Sequence, residues 1–374
     1  MQIVAVLRSP LAPMRHYQLN GIAQVYADNF IVLLYGEKYN LSQKHNVKFR
    51  YQFINTYRII FKRKNSYYTE RWIDIPLGLI NKLLKGKPTL ILSSEFSFPS
   101  LICLIYKIIF NCRLIIHIEG TIYSERGITK LQNIIRKFFI KHSDGFLAVG
   151  KQSKKYLQSI GGTENKIWIA PQATDTTLFA NIAQEIRVVR NLQIEPLRLV
   201  YVGQLIERKG LNLLINAIDY YNRNYGEIEL WIIGEGDEYK NLIYQVENKY
   251  LTKKIIFYGY VDNLDLPKYY AQCDIFAFPS LEDTYAVVIA EAMACGLPAI
   301  CNLNVGAIDD LIVEGKTGYT VDYFDTIEVA KKIHLCKNNI VSMQKNIKNV
   351  LNDWDSNVAV RNIIASFKNE RHVE

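Results

Sequence analysis

The fold turns on residues 274 to 298: Asp274-Ile275-Phe276-Ala277-Phe278, then Pro279-Ser280-Leu281-Glu282, then Asp283-Thr284-Tyr285-Ala286-Val287-Val288-Ile289-Ala290-Glu291-Ala292-Met293-Ala294-Cys295-Gly296-Leu297-Pro298. The apolar run to Phe278 reads as a buried strand, and Pro279 closes it. No Gly or Pro interrupts the following segment before Gly296, so it reads as a helix over 284–294. Asp283 or Thr284 can cap that helix, leaving the backbone N–H groups of Tyr285, Ala286 and Val287 at its positive end. Such an end suits a diphosphate. Glu291 lies two turns further in, among Val, Ile, Ala and Met. A carboxylate there is explained by a polar ligand such as ribose hydroxyls; the plain alternative is an exposed Glu on a surface helix.

Outward from this unit, strand-like and helical runs alternate, which predicts an α/β protein with parallel sheets. Strands are expected at 2–7, 30–35, 89–93, 113–118, 145–149 and 166–170, with helices near 14–27, 97–110, 128–141 and 151–159. In the second half, strands at 198–202, 228–233, 254–258, 274–278 and 298–301 alternate with helices at 210–223, 237–249, 264–272, 284–294 and 326–336. Residues 48 to 75 are aromatic, basic and irregular. The segment 181–196, ending in Pro196, reads as a linker between an N-terminal domain, 1–180, and a C-terminal domain, 197–340. The tail 338–372 is polar and helical. Doubly wound domains bind ligands at the carboxyl ends of their strands.

With 374 residues, 49% hydrophobic and 22% charged, the chain can hold two sizeable cores and is not of disordered composition. Leu101 to Phe110 is a ten-residue apolar run carrying Lys107, which fits a core helix and not a membrane span. Ile3 to Leu7 is too short for a signal-peptide core and reads as a first strand. None of the six cysteines is spaced C-x-x-C, so buried free thiols and a reducing cytoplasm are expected, without a zinc site. Residues 1–180 hold 25 Lys and Arg against 10 Asp and Glu, while the rest holds 20 against 26. Basic clusters at Lys62-Arg63-Lys64, at Lys82, Lys85 and Lys87, and at Arg136, Lys137 and Lys141 point to an anionic surface: lipid headgroups, a lipid diphosphate or nucleic acid.

Asp283-x7-Glu291 resembles the E-x7-E motif of the retaining, GT-B-fold glycosyltransferases of group 1 (glycosyltransferase family 4). The resemblance implies a GT-B architecture, two doubly wound Rossmann-like domains facing across a cleft, with the C-terminal helix, here 355–372, packing back on the first domain. It implies that Glu291 binds the nucleotide ribose and that Asp283, or Glu282 beside it, contacts the donor sugar. Thr284-Tyr285-Ala286 stands where the family has Gly-Phe-Gly. Gly203-Gln204 to Lys209-Gly210 resembles the family's G-R-x4-K-G segment. Lys209 falls on the family Lys, which neutralises the leaving diphosphate; Gln204 falls on the family Arg, and Arg208 is a second source of that charge. Tyr260 and Val261, after the third strand of the second domain, correspond to the backbone that reads the base.

In the first domain, many family members carry a His just after the strand that is here Leu114 to Ile118, facing the donor sugar. Glu119 takes that register and His117 lies within the strand, so either can face inward. His117, Glu119 and, on the following loop, Arg126 and Ser124 are acceptor-contact candidates; Arg15 is a further candidate on the first loop, which lacks the Gly-Gly that relatives often use near the diphosphate. Asp353-Trp354-Asp355 has the D-x-D pattern of metal-dependent sugar transferases but follows no strand. The expected substrate is a UDP- or GDP-linked sugar, used without cofactor or metal. The expected activity is transfer to a glycan or lipid-linked acceptor at the inner face of an anionic cell membrane, in cell-envelope polysaccharide synthesis. Lys209, Asp283 and Glu119 are the catalytic candidates. Two rival readings are an inactive nucleotide-sugar-binding protein and a nucleic-acid binder using the aromatic and basic residues 49 to 68.

Overall fold

The structure is a computed structural model that describes residues 1–38, 47–62, 70–186 and 195–370. The chain divides into two compact units: Met1–Gln172 with Ser356–Glu374, and Ala173–Asp355.

Unit 1 is built on a parallel seven-stranded sheet ordered β3-β2-β1-β6-β7-β8-β9. Its strands are β1 (Ile3–Ser9), β2 (Phe30–Gly36), β3 (Arg50–Ile54), β6 (Leu90–Ser94), β7 (Arg113–Ile118), β8 (Gly145–Ala148) and β9 (Ile167–Ile169), while β4 (Thr56–Lys62) and β5 (Glu70–Pro76) form a separate antiparallel hairpin. Helices α1 (Pro13–Tyr26), α2 (Leu79–Gly86), α3 (Phe98–Phe110), α4 (Lys130–His142) and α5 (Lys151–Ser159) flank it. Both faces of the sheet are covered, so β1 reads as an unbroken apolar run. Val4 and Val6 enter a cluster with Leu104 and Phe139, whereas Ile3, Ala5 and Leu7 enter one with Leu19, Ile22 and Ile363. Each such buried aliphatic contributes about 1.5–3 kcal/mol relative to exposure. Ile363 belongs to the helix Ser356–Lys368, which lies against α1. A Cβ on Gly21 of α1 would stand 2.5 Å from the Val360 methyl, so only glycine lets these helices approach.

Unit 2 holds a parallel six-stranded sheet ordered β12-β11-β10-β13-β14-β15. The chain runs α6 (Thr176–Ile186), β10 (Leu197–Val202), α7 (Leu211–Asn224), β11 (Ile228–Ile233), α8 (Tyr239–Asn248), β12 (Ile255–Gly259), α9 (Leu266–Tyr270), β13 (Ile275–Phe278), α10 (Val287–Ala294), β14 (Ala299–Asn302), α11 (Ile308–Leu311), β15 (Gly318–Val321) and α12 (Thr326–Leu351), and α13 (Ser356–Lys368) then joins unit 1. In both sheets the strand order reverses, between β1 and β6 and between β10 and β13, which are the positions where doubly wound sheets bind ligands.

Several expectations are corrected here. The described residues between 48 and 75 are not irregular: they form β3 and the paired strands β4 and β5. α2, α6 and β15 were not anticipated, and the helix expected at 326–336 continues to Leu351. The expected linker 181–196 begins inside α6, and its residues 187–194 lie outside the described ones. Arg63 and Lys64, with all of the 49–68 stretch beyond Lys62, also lie outside them. Unit 2 runs on to Asp355, past the expected limit of 340. The six cysteines are free and buried. Among the described residues no helix is long and apolar enough to cross a membrane.

Candidate active site

In unit 2 the site lies where β10 and β13 part. After β10 the chain passes Gly203 and exposed Gln204, makes a tight turn over Glu207–Lys209 and enters α7 through Gly210. Gly210 has φ +64°, and a Cβ there would meet the Pro279 carbonyl at 2.5 Å. Glycine thus presses this loop onto the one that follows β13. The Leu281 N–H donates to the Arg208 carbonyl at 2.8 Å. Lys209 Nζ donates to Asp283 Oδ2 at 2.5 Å and stands 4.9 Å above the Phe278 ring. Arg208 donates to the Glu282 carbonyl, and its Nη1 is 3.6 Å from the same Asp283 oxygen. The Lys209 and Asp283 side chains are only 11% and 15% exposed. Burial draws the Lys209 ammonium below its ordinary pKa, against the opposing pull of Asp283. Two cations facing one carboxylate leave a net positive pocket wall.

Asp283 does not cap the helix as expected. Its carboxylate is taken by Lys209, and its backbone pairs with Asn304 and Gly306, keeping the chain extended. The Tyr285 ring is buried core. The helix therefore starts at Val287, with Ala286 as an N-cap in the left-handed region at φ 70° and no side-chain cap. The positive end belongs to Val287 and Val288, and the helix starts two to three residues later than the sequence suggests.

Glu291 points into the unit: it is 4% exposed. Its Oε1 accepts from Asn263 Nδ2 at 2.9 Å, while Oε2 is buried without a partner. Burial pushes its pKa up to about 7, with the Asn263 bond opposing. An orphaned carboxylate oxygen is costly unless a ligand donates to it. Asn263 escaped the sequence reading, although a buried carboxylate demands a donor and the loop after β12 is the nearest source. On that loop Tyr260 is 69% exposed, with its hydroxyl 3.2 Å from Asp262, and Val261 is half-buried.

Unit 1 carries a second constellation, at the ends of β1, β6 and β7. Arg15, near the start of α1, bonds His117 Nδ1 at 2.7 Å, Glu119 Oε1 at 2.9 Å and Gln18 Oε1 at 2.9 Å. Arginine can only donate, so His117 Nδ1 accepts and its proton sits on Nε2, which has no partner. His117 is 1% exposed and is held well below its ordinary pKa by burial and by Arg15, so it is neutral. Glu95, which the sequence reading missed, ends β6 at φ 59°, and its Oε1 accepts the Glu119 N–H at 2.7 Å. Burial, with the nearby Glu119 charge, pushes its pKa up to about 8, so the acid is largely protonated at neutral pH. Arg15, Glu95 and Glu119 line a cavity of about 1150 Å³ whose walls include Phe61, Trp72, Phe96 and Ile135. His117 is not part of that lining; it stands behind Arg15. Arg126 is exposed and stacks over Tyr123 at 4.7 Å, away from the cavity lining. Ser124 is spent on a turn with Thr121. Arg136 turns inward to Glu125 and Tyr156, so it is not part of a solvated basic cluster. Asp355 accepts a bond from Thr176, and among the described residues no cluster could hold a metal ion.

The glycosyl transferases group 1 family model matches residues 183–353, the stretch that holds Lys209, Asp283 and Glu291. Residues 183–353 are thus similar to the group 1 glycosyl transferases. The chain is 26% identical over 227 residues to an uncharacterized 41.2 kDa protein in the cps region of Klebsiella pneumoniae, covering 60% of each. It is 26% identical over 187 residues to the GDP-mannose-dependent alpha-(1-6)-phosphatidylinositol monomannoside mannosyltransferase of Mycolicibacterium smegmatis, covering 47% of this chain and 48% of that one. The matches thus span about half the length of these curated relatives. The fold matches Anabaena HepE, solved in complex with UDP, at TM-score 0.79 and 18% identity over 98% of this chain and 100% of that one. The fold is GT-B, with two Rossmann-like units.

Proposed function

We propose that this chain is a retaining glycosyltransferase, moving a sugar from a UDP- or GDP-linked donor to a hydroxyl of a lipid-linked or glycan acceptor. The observation that carries the reading is the pairing, on one switch point, of an Arg208–Lys209 cationic wall with a buried Glu291 whose second oxygen has no donor. A nucleoside diphosphate satisfies both. Its phosphates meet Lys209, Arg208 and the Val287–Val288 amides, and its ribose hydroxyls donate to Glu291. In this reading Tyr260 and Val261 border the base, Gly203 lets the backbone approach the diphosphate, and Asp283, with Glu282 beside it, fixes Lys209. Arg208 supplies the charge that Gln204 lacks.

In the transfer step the bond from the anomeric carbon to the diphosphate breaks. The acceptor oxygen bonds that carbon from the same face, and the acceptor proton passes to the leaving phosphate oxygen. Lys209 and Arg208 stabilise the charge that grows on the leaving group, so no metal ion is required. Glu119, aligned by Arg15, and neutral Glu95 are among the polar groups of the acceptor cavity; His117 orients Arg15. Similarity to a protein of a cps region supports a role in cell-envelope polysaccharide synthesis, and the basic first unit supports work at the cytoplasmic face of the membrane.

Melting the chain with UDP-, GDP- and ADP-sugars tests the donor reading, because a ligand of the folded state raises the melting temperature. Stabilisation by one base series, lost in Glu291→Ala, is expected; no shift with any of them refutes the site.

A further inference from the structure

Three consecutive helices of unit 1, α2, α3 and α4, contain no aspartate or glutamate. Lys82, Lys85, Lys137 and Lys141 are exposed on them. Between these cations stand exposed aliphatic and aromatic side chains: Leu84 on α2, Ile108 and Ile109 on α3, and Leu131, Ile134 and Phe138 on α4. Ile109 and Ile134 are 65% and 63% exposed. Scattered apolar residues on a surface are ordinary, but α3 packs beside both α2 and α4, so these form one surface. Apolar side chains ringed by lysines without a single carboxylate are the pattern of helices that lie in a bilayer interface. A second copy of the same face would set lysine against lysine, whereas anionic headgroups complement it.

The cavity of unit 1 reaches this surface. Ile135 of α4, Phe98 of α3, and Phe61 and Trp72 of the β4–β5 hairpin are exposed and also line the cavity. Its walls are therefore continuous with the apolar face, while Arg15 of α1, with Glu95 and Glu119 just after β6 and β7, stands at the carboxyl ends of the strands; Arg8, Asp74, Gln132 and Arg136 also line the walls.

We propose that the α2–α3–α4 face inserts into the headgroup layer of an anionic membrane and opens the cavity to lipid. An amphiphilic acceptor then enters from the bilayer with its apolar chain along Phe61, Trp72 and Ile135 and its hydroxyl-bearing head toward Glu95 and Glu119. This deepens the proposed function and rests on it for what the acceptor does, but not for the docking itself. Because apolar insertion and charge both contribute, binding should fall with salt without vanishing.

The test is sedimentation of the full chain with phosphatidylcholine vesicles, with and without phosphatidylglycerol, at low and high salt. The UDP-induced melting shift is read on every variant as a control of fold and donor site. Expected are binding to phosphatidylglycerol vesicles, a loss of about tenfold or more in Ile109→Glu/Ile134→Glu, and a similar loss in Lys137→Glu/Lys141→Glu, with the UDP shift intact. Wild-type chain that shows the UDP shift but ignores the vesicles overturns the inference. So do variants that bind as the wild type does, or a solution dimer abolished by Ile109→Glu/Ile134→Glu without any vesicle binding. Vesicle binding without a melting shift from any of UDP, GDP and ADP in the wild type would instead sink the transferase reading and leave the docking face standing.

Discussion

Replacing Lys209 by Met removes one charge and little else. The aliphatic stem over Phe278 is kept, while the ammonium 2.5 Å from Asp283 is lost. The pocket wall falls from two cations against one carboxylate to an even balance. In a site this shielded from water, loss of one preorganised charge donor removes roughly 2.7–4 kcal/mol of transition-state stabilisation, or about 100- to 1000-fold in kcat. Arg208 stays within 3.6 Å of Asp283, so the lower end is expected. Donor affinity should fall less, because charge on the leaving oxygen grows only towards the transition state. The variant also leaves Asp283 without its nearest partner, a stability cost of about 1–3 kcal/mol. Lys209→Met/Asp283→Asn separates the two effects: it should recover the melting temperature but not the turnover. The assay is release of nucleoside diphosphate from the donor under single-turnover conditions. Unaltered turnover in Lys209→Met, or turnover restored with stability in the double variant, refutes the reasoning.

Three further outcomes follow from the same geometry. Glu291→Ala should weaken UDP and donor binding alike, by roughly tenfold or more, because it removes ground-state hydrogen bonds to the ribose; calorimetry on both ligands checks this, and a pure kcat effect would contradict it. Nucleotide binding should release a proton near pH 6.5 and none above about pH 8. The pKa of Glu291 is raised to about 7 in the free chain, and donors to both oxygens favour its ionised form, so the binding enthalpy should vary with the buffer's ionisation enthalpy only at the lower pH. Ala286→Gly should stabilise unit 2 by about 0.5–1 kcal/mol in denaturant unfolding, since Ala286 holds a left-handed conformation at φ 70° that glycine adopts without its steric cost.

The sequence was most legible where chemistry and local structure coincide. The strand ending at Phe278, its acidic loop and the helix carrying Glu291 were all readable, because a buried strand of a doubly wound sheet is a short continuous apolar run. The helix starts later than the local sequence suggests because a tertiary ion pair with Lys209, 74 residues away, outcompetes the local cap. The hub role of Arg15 and the presence of Glu95 stayed hidden for a similar reason: Arg15 meets Glu119 across 104 positions, and nothing local announces it. The β4–β5 hairpin is not legible in the sequence because Tyr57, Ile59, Ile60 and Phe61 are exposed in succession on both of its faces, so no apolar–polar alternation marks the strands. β15 begins at Gly318, whose missing Cβ admits the Ala299 carbonyl, and glycine reads as a turn when only sequence is seen.

The central claim is sugar transfer with retention from a donor held by Glu291, Arg208 and Lys209. Its most direct test is nuclear magnetic resonance of the chain incubated with the nucleotide sugar that stabilises it and with detergent-dispersed lipid extract as acceptor. The account predicts that the donor is consumed, that free nucleoside diphosphate appears in equal amount, and that the new glycosidic bond keeps the anomeric configuration of the donor. A donor that binds yet stays intact, or a product of inverted configuration, would contradict it.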